Sequence, residues 1–190
     1  MISPCWNQNT DYDCDLAVIN LPQPLDLVSS NIQPVSLLFK ESSENHQTSS
    51  TKASRVYGWG RNDNRINSPL ELKKGNMIVE NWNICMDKLK TGHPDYRRTI
   101  NFLSSRVDYL CATGDSEYGK HAQICESDSG GPLMAEYHDQ DVQIGITTIM
   151  VNQGDVCAAA SKVNIFTNVA FHADFIKSAV KDQENLKFVE

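Results

Sequence analysis

The chain has 190 residues, 40% of them hydrophobic, which is enough apolar material for one domain or two small ones. Its formal net charge is −7, and no lysine- or arginine-rich run breaks that acidity, which argues against a nucleic-acid partner. Nothing approaches the roughly 18 consecutive apolar residues of a membrane-spanning helix, so no membrane partner is expected either.

Taken in order, residues 15 to 21, DLAVINL, form a short apolar run bounded by polar residues and proline, and predict a buried strand. LPQPLDL follows, its prolines incompatible with a helix interior, and NIQPVSLLF predicts another extended piece. Residues 40 to 52, KESSENHQTSSTK, lack large apolar side chains and predict a linker or long surface loop, with His46 solvated in it. Short strands and turns come next: RVYGWG, the turn-rich RNDNRINSP and the weakly alternating ELKKGNMIVE. NICMDKLKTG predicts a short helix through Ile84 and Leu89, stopped at Gly92. HPDYRRTINFLSSR is expected to be an irregular, solvated surface loop.

VQIGITTIMV is dense in β-branched residues and carries the strongest strand pattern; VNIFTNV is another. AFHADFIKSAVKDQENL sets Phe171, Phe175, Ile176, Ala179 and Val180 on about one helical face. The sum is an all-β barrel or sandwich with one C-terminal helix.

Six cysteines, Cys5, Cys14, Cys85, Cys111, Cys125 and Cys157, are even in number and widely spread, with no CxxC pair. That spacing argues against a zinc site, so neither metal nor cofactor is expected. It suits disulfides in an oxidising compartment, with six buried thiols as the alternative. The amino-terminal MISPCWNQNT has neither the basic start nor the apolar core of a signal peptide. A disulfide-like chain without an export signal leads to the expectation that further sequence precedes Met1.

Around Ser129 the stretch QICESDSGGPLM places a serine in a tight glycine-rich turn. Two glycines after it allow backbone conformations closed to other residues and let a substrate come near. Backbone N–H groups in such a turn can converge on a developing oxyanion. A serine nucleophile needs a base, and the base an orienting acid. Glycine, proline and serine are also ordinary turn residues, and four of them alone favour a plain loop.

More than four match. CESDSGGPLM resembles the nucleophile segment of the trypsin/chymotrypsin-like serine proteases, C-x-G-D-S-G-G-P-L. DYDCDLAVINL resembles their D-I-A-L-L segment, NIQPVSL their N-I-x-P-V-C-L, and GWG at 58 to 60 recurs at the start of their second barrel. YLCATG, GITTIM and KVNIFTNV follow in the family's order before a terminal helix. The resemblance implies a chymotrypsin-like double antiparallel β-barrel with the first barrel incomplete and a C-terminal helix. Residues 1–39 would be the remnant of the first barrel, 40–53 a polar inter-barrel linker, and 54–190 the second barrel plus the helix.

The resemblance also implies roles. Ser129 would be the nucleophile, Asp15 the carboxylate orienting a histidine, and the Ser127 and Ser129 amides the oxyanion hole. Asp128 would pair with a mature amino terminus, and Gln123, Thr148, Met150 and Asn164 would shape the specificity pocket. Cys125 would bridge to Cys157 and Cys85 to Cys111. The family bridge that would join Ser54 to Ala135 has lost both partners together. Cys5 and Cys14 have no family partners, so they pair with each other or with cysteines elsewhere.

The pattern also breaks. The family's histidine precedes the aspartate, whereas His46, His93, His121, His138 and His172 all follow Asp15. The I-V-G-G amino terminus is missing, which would leave Asp128 a partly buried carboxylate without its cation, a cost on the order of several kcal/mol. Ser127 replaces a glycine, which penalises the backbone geometry of the hole. Gln123 lacks the carboxylate that attracts Arg or Lys, and Met150 and Asn164 replace glycines that keep the pocket open.

The expectation is a non-catalytic homologue or fragment of a serine endopeptidase. The alternative is an active secreted endopeptidase of which this is a part. Either way the partner is a protein or peptide, and the compartment is extracellular.

Overall fold

The computed structural model describes residues 1–6, 14–39, 52–61, 69–92, 103, 106, 108–115, 122–150, 163–181 and 186–189. Its elements are β1 (Ser36–Leu38), β2 (Lys52–Gly58), β3 (Lys73–Val79), α1 (Trp82–Gly92), β4 (Tyr109–Gly114), β5 (Pro132–Tyr137), β6 (Gln140–Met150), β7 (Val163–Asn168), α2 (Ala173–Ala179) and β8 (Phe188–Val189). The fold is mostly β, as the patterning predicts, with α2 as the expected C-terminal helix.

Strands β2, β3, β4, β7, β6 and β5 pair antiparallel in that order, and β5 returns to β2. The result is a closed six-stranded barrel, which leaves no free edge among its own members. β6 spans two neighbours: its first half pairs with β5 and its second half with β7. On the outside β1 runs parallel to β6 at Ser36–Val142, and β8 runs parallel to β1.

Alternation along the strands sorts the core into two layers. Leu110, Ala112 and Phe166 point into the barrel with Val56, Met77, Ile124, Leu133 and Val142. Tyr109, Cys111, Val163 and Ile165 point outward, where α1 covers them with Trp82, Cys85, Met86 and Leu89. Strands β4 and β7 are therefore buried along their whole lengths. Glu80, just before α1, accepts hydrogen bonds from Lys88 Nζ at 2.6 Å and Thr113 Oγ1 at 2.8 Å. Burial opposes its charge, but those two bonds and the lysine's charge hold its pKa below the ordinary value.

Ser54 and Ala135, the two positions from which the family bridge is missing, lie directly opposite each other across β2 and β5, both buried. The Ser54 hydroxyl donates to the Met77 carbonyl instead. Cys85 and Cys111 form the expected disulfide, tying α1 to β4. Cys5 and Cys14 pair with each other. Cys125 is also disulfide-bonded, and its expected partner Cys157 lies outside the described residues.

Three local expectations are overturned. Residues 15 to 21 are not a buried strand: they make one bridge, Ala17 to Ile2, and Ile19 is 83% exposed. The run is apolar but has no sheet to join, and only Leu16 reaches a core, beside Val169 and Ile176. Ile84 faces solvent, because the buried face of α1 is Trp82, Cys85, Met86 and Leu89, the i, i+3, i+4, i+7 set. The segment expected as a solvated loop carries Leu103, which is fully buried among the outward-facing core residues. Most of that segment lies outside the described residues, as does the 40–51 stretch with His46.

Candidate active site

Ser129 follows one tight turn and is the second residue of the next. In the first, the Asp128 N–H donates to the Cys125 carbonyl at 3.0 Å, and Ser127, at the third position, has φ +72°. That is a type II turn, which favours glycine at its third position; a side chain there costs about 1–2 kcal/mol. The expected penalty at Ser127 is thus present in the backbone. In the second turn the Gly131 N–H donates to the Asp128 carbonyl at 2.9 Å, and Gly130 takes φ +83°. Gly131 is equally constrained, because a Cβ there would sit 2.9 Å from the carbonyl oxygens of both Asp128 and Tyr57. The two glycines therefore hold Ser129 at an exposed apex.

The apex is stitched to β6. Gly130 N–H donates to the Thr147 carbonyl, and Thr147 N–H to the Gly131 carbonyl, at 2.9 and 2.8 Å. Among the described residues, the N–H groups of Gly130, Gly131 and Asp128 are all bonded. Those of Ser127 and Ser129 donate to no described partner, so both are free to meet an acceptor at the turn.

One residue further along β6, Thr148 Oγ1 donates to Asp15 Oδ2 at 2.5 Å, and Thr167 Oγ1 on β7 donates to the Asp15 carbonyl at 3.1 Å. Two adjacent residues of one strand therefore hold the serine turn and the aspartate: Thr147 through its backbone, Thr148 through its side chain. This assigns Thr148 a contact that its expected place beside the specificity pocket did not include. Thr167 had no role among the sequence expectations; its hydroxyl next to Phe166 in the expected strand VNIFTNV was the available signal.

The Asp128 carboxylate is held by two backbone groups. Its Oδ1 accepts from Gly60 N–H at 2.7 Å and its Oδ2 from Cys125 N–H at 2.8 Å. No described cation pairs with it, and the two backbone dipoles take that place. Gly58 and Gly60 are required for this packing, since a Cβ on either would fall 2.0 or 2.4 Å from a carboxylate oxygen of Asp128. The GWG motif is the receptacle of that carboxylate.

At the other end of the nucleophile segment, Asn164 is fully buried and points into the barrel. Its Oδ1 accepts from Ile124 N–H at 3.0 Å, and its Nδ2 donates to the Ala112 carbonyl at 3.3 Å. Its side chain is thus consumed in fixing the backbone beside Gln123. Gln123 Nε2 is buried with no hydrogen-bond partner among the described residues. Met150 ends β6 opposite Asn164.

No described histidine bonds to Ser129 or Asp15. His138 is exposed in the β5–β6 hairpin turn. His172 is buried at the start of α2, and burial pushes its pKa down; Asp108 opposes that shift and Arg106 reinforces it. His46, His93 and His121 lie outside the described residues.

The sequence compares with known proteins as this geometry suggests. The family model described as Trypsin matches residues 1–176. A tryptase of Mus musculus is 31% identical over 165 residues, 85% of this chain and 54% of the tryptase. Snake venom serine proteinase 9 of Crotalus adamanteus is 29% identical over 187 residues, 96% of this chain and 60% of the proteinase. A suppressor of tumorigenicity 14 protein homolog of Bos taurus is 27% identical over 178 residues, 93% of this chain and 18% of that protein. The chain spans less than two thirds of the length of each of these relatives.

Proposed function

This chain belongs to the trypsin family of serine proteases, and from that premise we propose that these 190 residues form a non-catalytic member or portion of a serine endopeptidase. They carry the nucleophile's position without the base. The observation that supports this reading is the pairing just described: Ser129 and Asp15 are both held by β6, and no described histidine contacts either. In this reading Asp15 is the group that would orient an imidazole, and the free N–H groups of Ser127 and Ser129 form the oxyanion hole. Asp128 orders that hole through Gly60. Gln123, Thr148, Met150 and Asn164 would shape the specificity pocket, with Met150 as the residue that would fill it. The partner is an extracellular protein or peptide.

Without a base, Ser129 keeps its proton at neutral pH and does not attack a peptide carbonyl at a useful rate. The loss of a triad base costs about 10⁶-fold in kcat. The purified chain is therefore expected to show no turnover of a panel of peptide amide substrates with varied P1 side chains. Turnover that disappears in Ser129→Ala would overturn the reading. It would favour instead the second reading, in which this chain is part of an active secreted endopeptidase.

A further inference from the structure

Away from the serine, the structure brings together three side chains that the proposed function does not use. The sulfurs of Cys5 and Cys14 and an imidazole nitrogen of His172 all lie within 4.8 Å of one another. The two cysteines are joined as a disulfide, with Cα atoms 5.6 Å apart. His172 is only 5% exposed, and its Nε2 is buried with no hydrogen-bond partner among the described residues. A buried ring nitrogen is ordinarily bonded, so the orphan Nε2 of an imidazole that lies beside two sulfurs calls for a partner.

We propose that this cluster is a redox-gated zinc site, closed as a disulfide and opened by a dithiol reductant. The reductant transfers two electrons and two protons to the Cys5–Cys14 bond and becomes a disulfide itself. The two resulting thiols then release their protons to solvent as Zn²⁺ binds both thiolates and the His172 nitrogen. Tetrahedral zinc with bonds of about 2.3 Å to sulfur and about 2.0 Å to nitrogen sets its ligand atoms about 3.5–3.8 Å apart. The released sulfurs need only separate to that distance, while the imidazole, at most 4.8 Å away, closes on them.

Two further features fit. Ser3 Oγ lies 3.3 Å from Cys5 Sγ and is buried, so its hydroxyl can donate to the thiolate and hold it for the metal. Cys5 is exposed, whereas Cys85 and Cys111 are buried to 0% and 2% exposure. A reductant therefore meets Cys5–Cys14 before that inner bridge, and water can fill the fourth position on the metal.

The test uses the whole chain, with Co²⁺ as spectroscopic reporter and Zn²⁺ as competitor. The chain is reduced by a water-soluble phosphine, which is then removed. The expected result is one equivalent of cobalt with thiolate charge-transfer and tetrahedral d–d bands, displaced by zinc, and no uptake by the oxidised chain. His172→Ala should weaken binding by at least about 10- to 100-fold, and Cys5→Ser with Cys14→Ser should abolish it. His172→Gln serves as a second variant, and far-UV circular dichroism of the oxidised forms, which need no metal, checks folding. Three results would each overturn the proposal: no bands in the reduced chain, equal bands in the double serine variant, or an affinity indifferent to His172.

Discussion

The barrel and the amino-terminal segment are built on opposite terms. From β2 to β7 each strand has a partner on both sides, and β4 and β7 are buried on both faces. The described residues of 1–35 have one bridge, one disulfide, and a few backbone and side-chain bonds, and they expose Ile2, Ile19, Leu21, Leu25 and Val28. The first region holds itself together through closure. The second is held at points: Leu16 beside α2, Asp15 on Thr148 and Thr167, and Asn20 Nδ2 on the Ala179 carbonyl. The serine turn belongs to the first region and Asp15 to the second, so the candidate site straddles parts of unequal stability.

The contrast predicts unequal costs. Phe166→Ala empties a fully buried site inside the barrel and should cost about 3–5 kcal/mol. Ile19→Ser, at an exposed position, should change stability by less than about 0.5 kcal/mol. Denaturant midpoints of the two variants decide this. A cost at Ile19 comparable with that at Phe166 would show that the segment's apolar side chains are covered in solution.

Next in size, Ser54→Cys with Ala135→Cys should form a disulfide across β2 and β5 and stabilise the chain by roughly 2–4 kcal/mol. Peptide mapping without reductant reads the bridge; two free thiols at these positions would contradict the register. Thr148→Val keeps the shape but removes the hydroxyl that donates to Asp15. It should cost roughly 1.5 kcal/mol, the low end for a bond to a charged group because Asp15 is partly exposed. Hydrogen exchange should speed up around residues 15–18 and leave β4 and β7 protected; equal loss in the barrel would mean the two regions open as one.

The smallest effect is pH-linked. His172 has a folded pKa below its ordinary value, so between that value and about 6.5 the unfolded chain binds a proton that the folded one refuses. Stability from this group is complete above about pH 6.5 and is lost as pH falls through the folded pKa. Melting temperatures across that window should fall less steeply in His172→Gln than in the unmodified chain. Parallel slopes would remove His172 from the account.

Where structure follows local pattern, it was legible in the sequence. The β-branched run of β6, the strand VNIFTNV and the glycines around Ser129 each constrain the backbone where they stand. The family resemblance went further and paired Ser54 with Ala135 across the sheet. Contacts made by single groups over long distances were not legible. Nothing in the text of GWG tells that Gly60 donates its N–H to Asp128. Nor does the apolar DLAVINL reveal that it has no sheet to enter, since burial depends on neighbours and not on the run itself. His172 and the Cys5–Cys14 bridge meet only because α2 starts where the amino-terminal segment folds back.

The claim that a nucleophile's position is presented without its base is tested most directly by intact-mass analysis after incubation with a fluorophosphonate probe. An unmodified mass over hours, with the protein folded, is the predicted outcome. One equivalent of adduct mapped to Ser129 within minutes would contradict it.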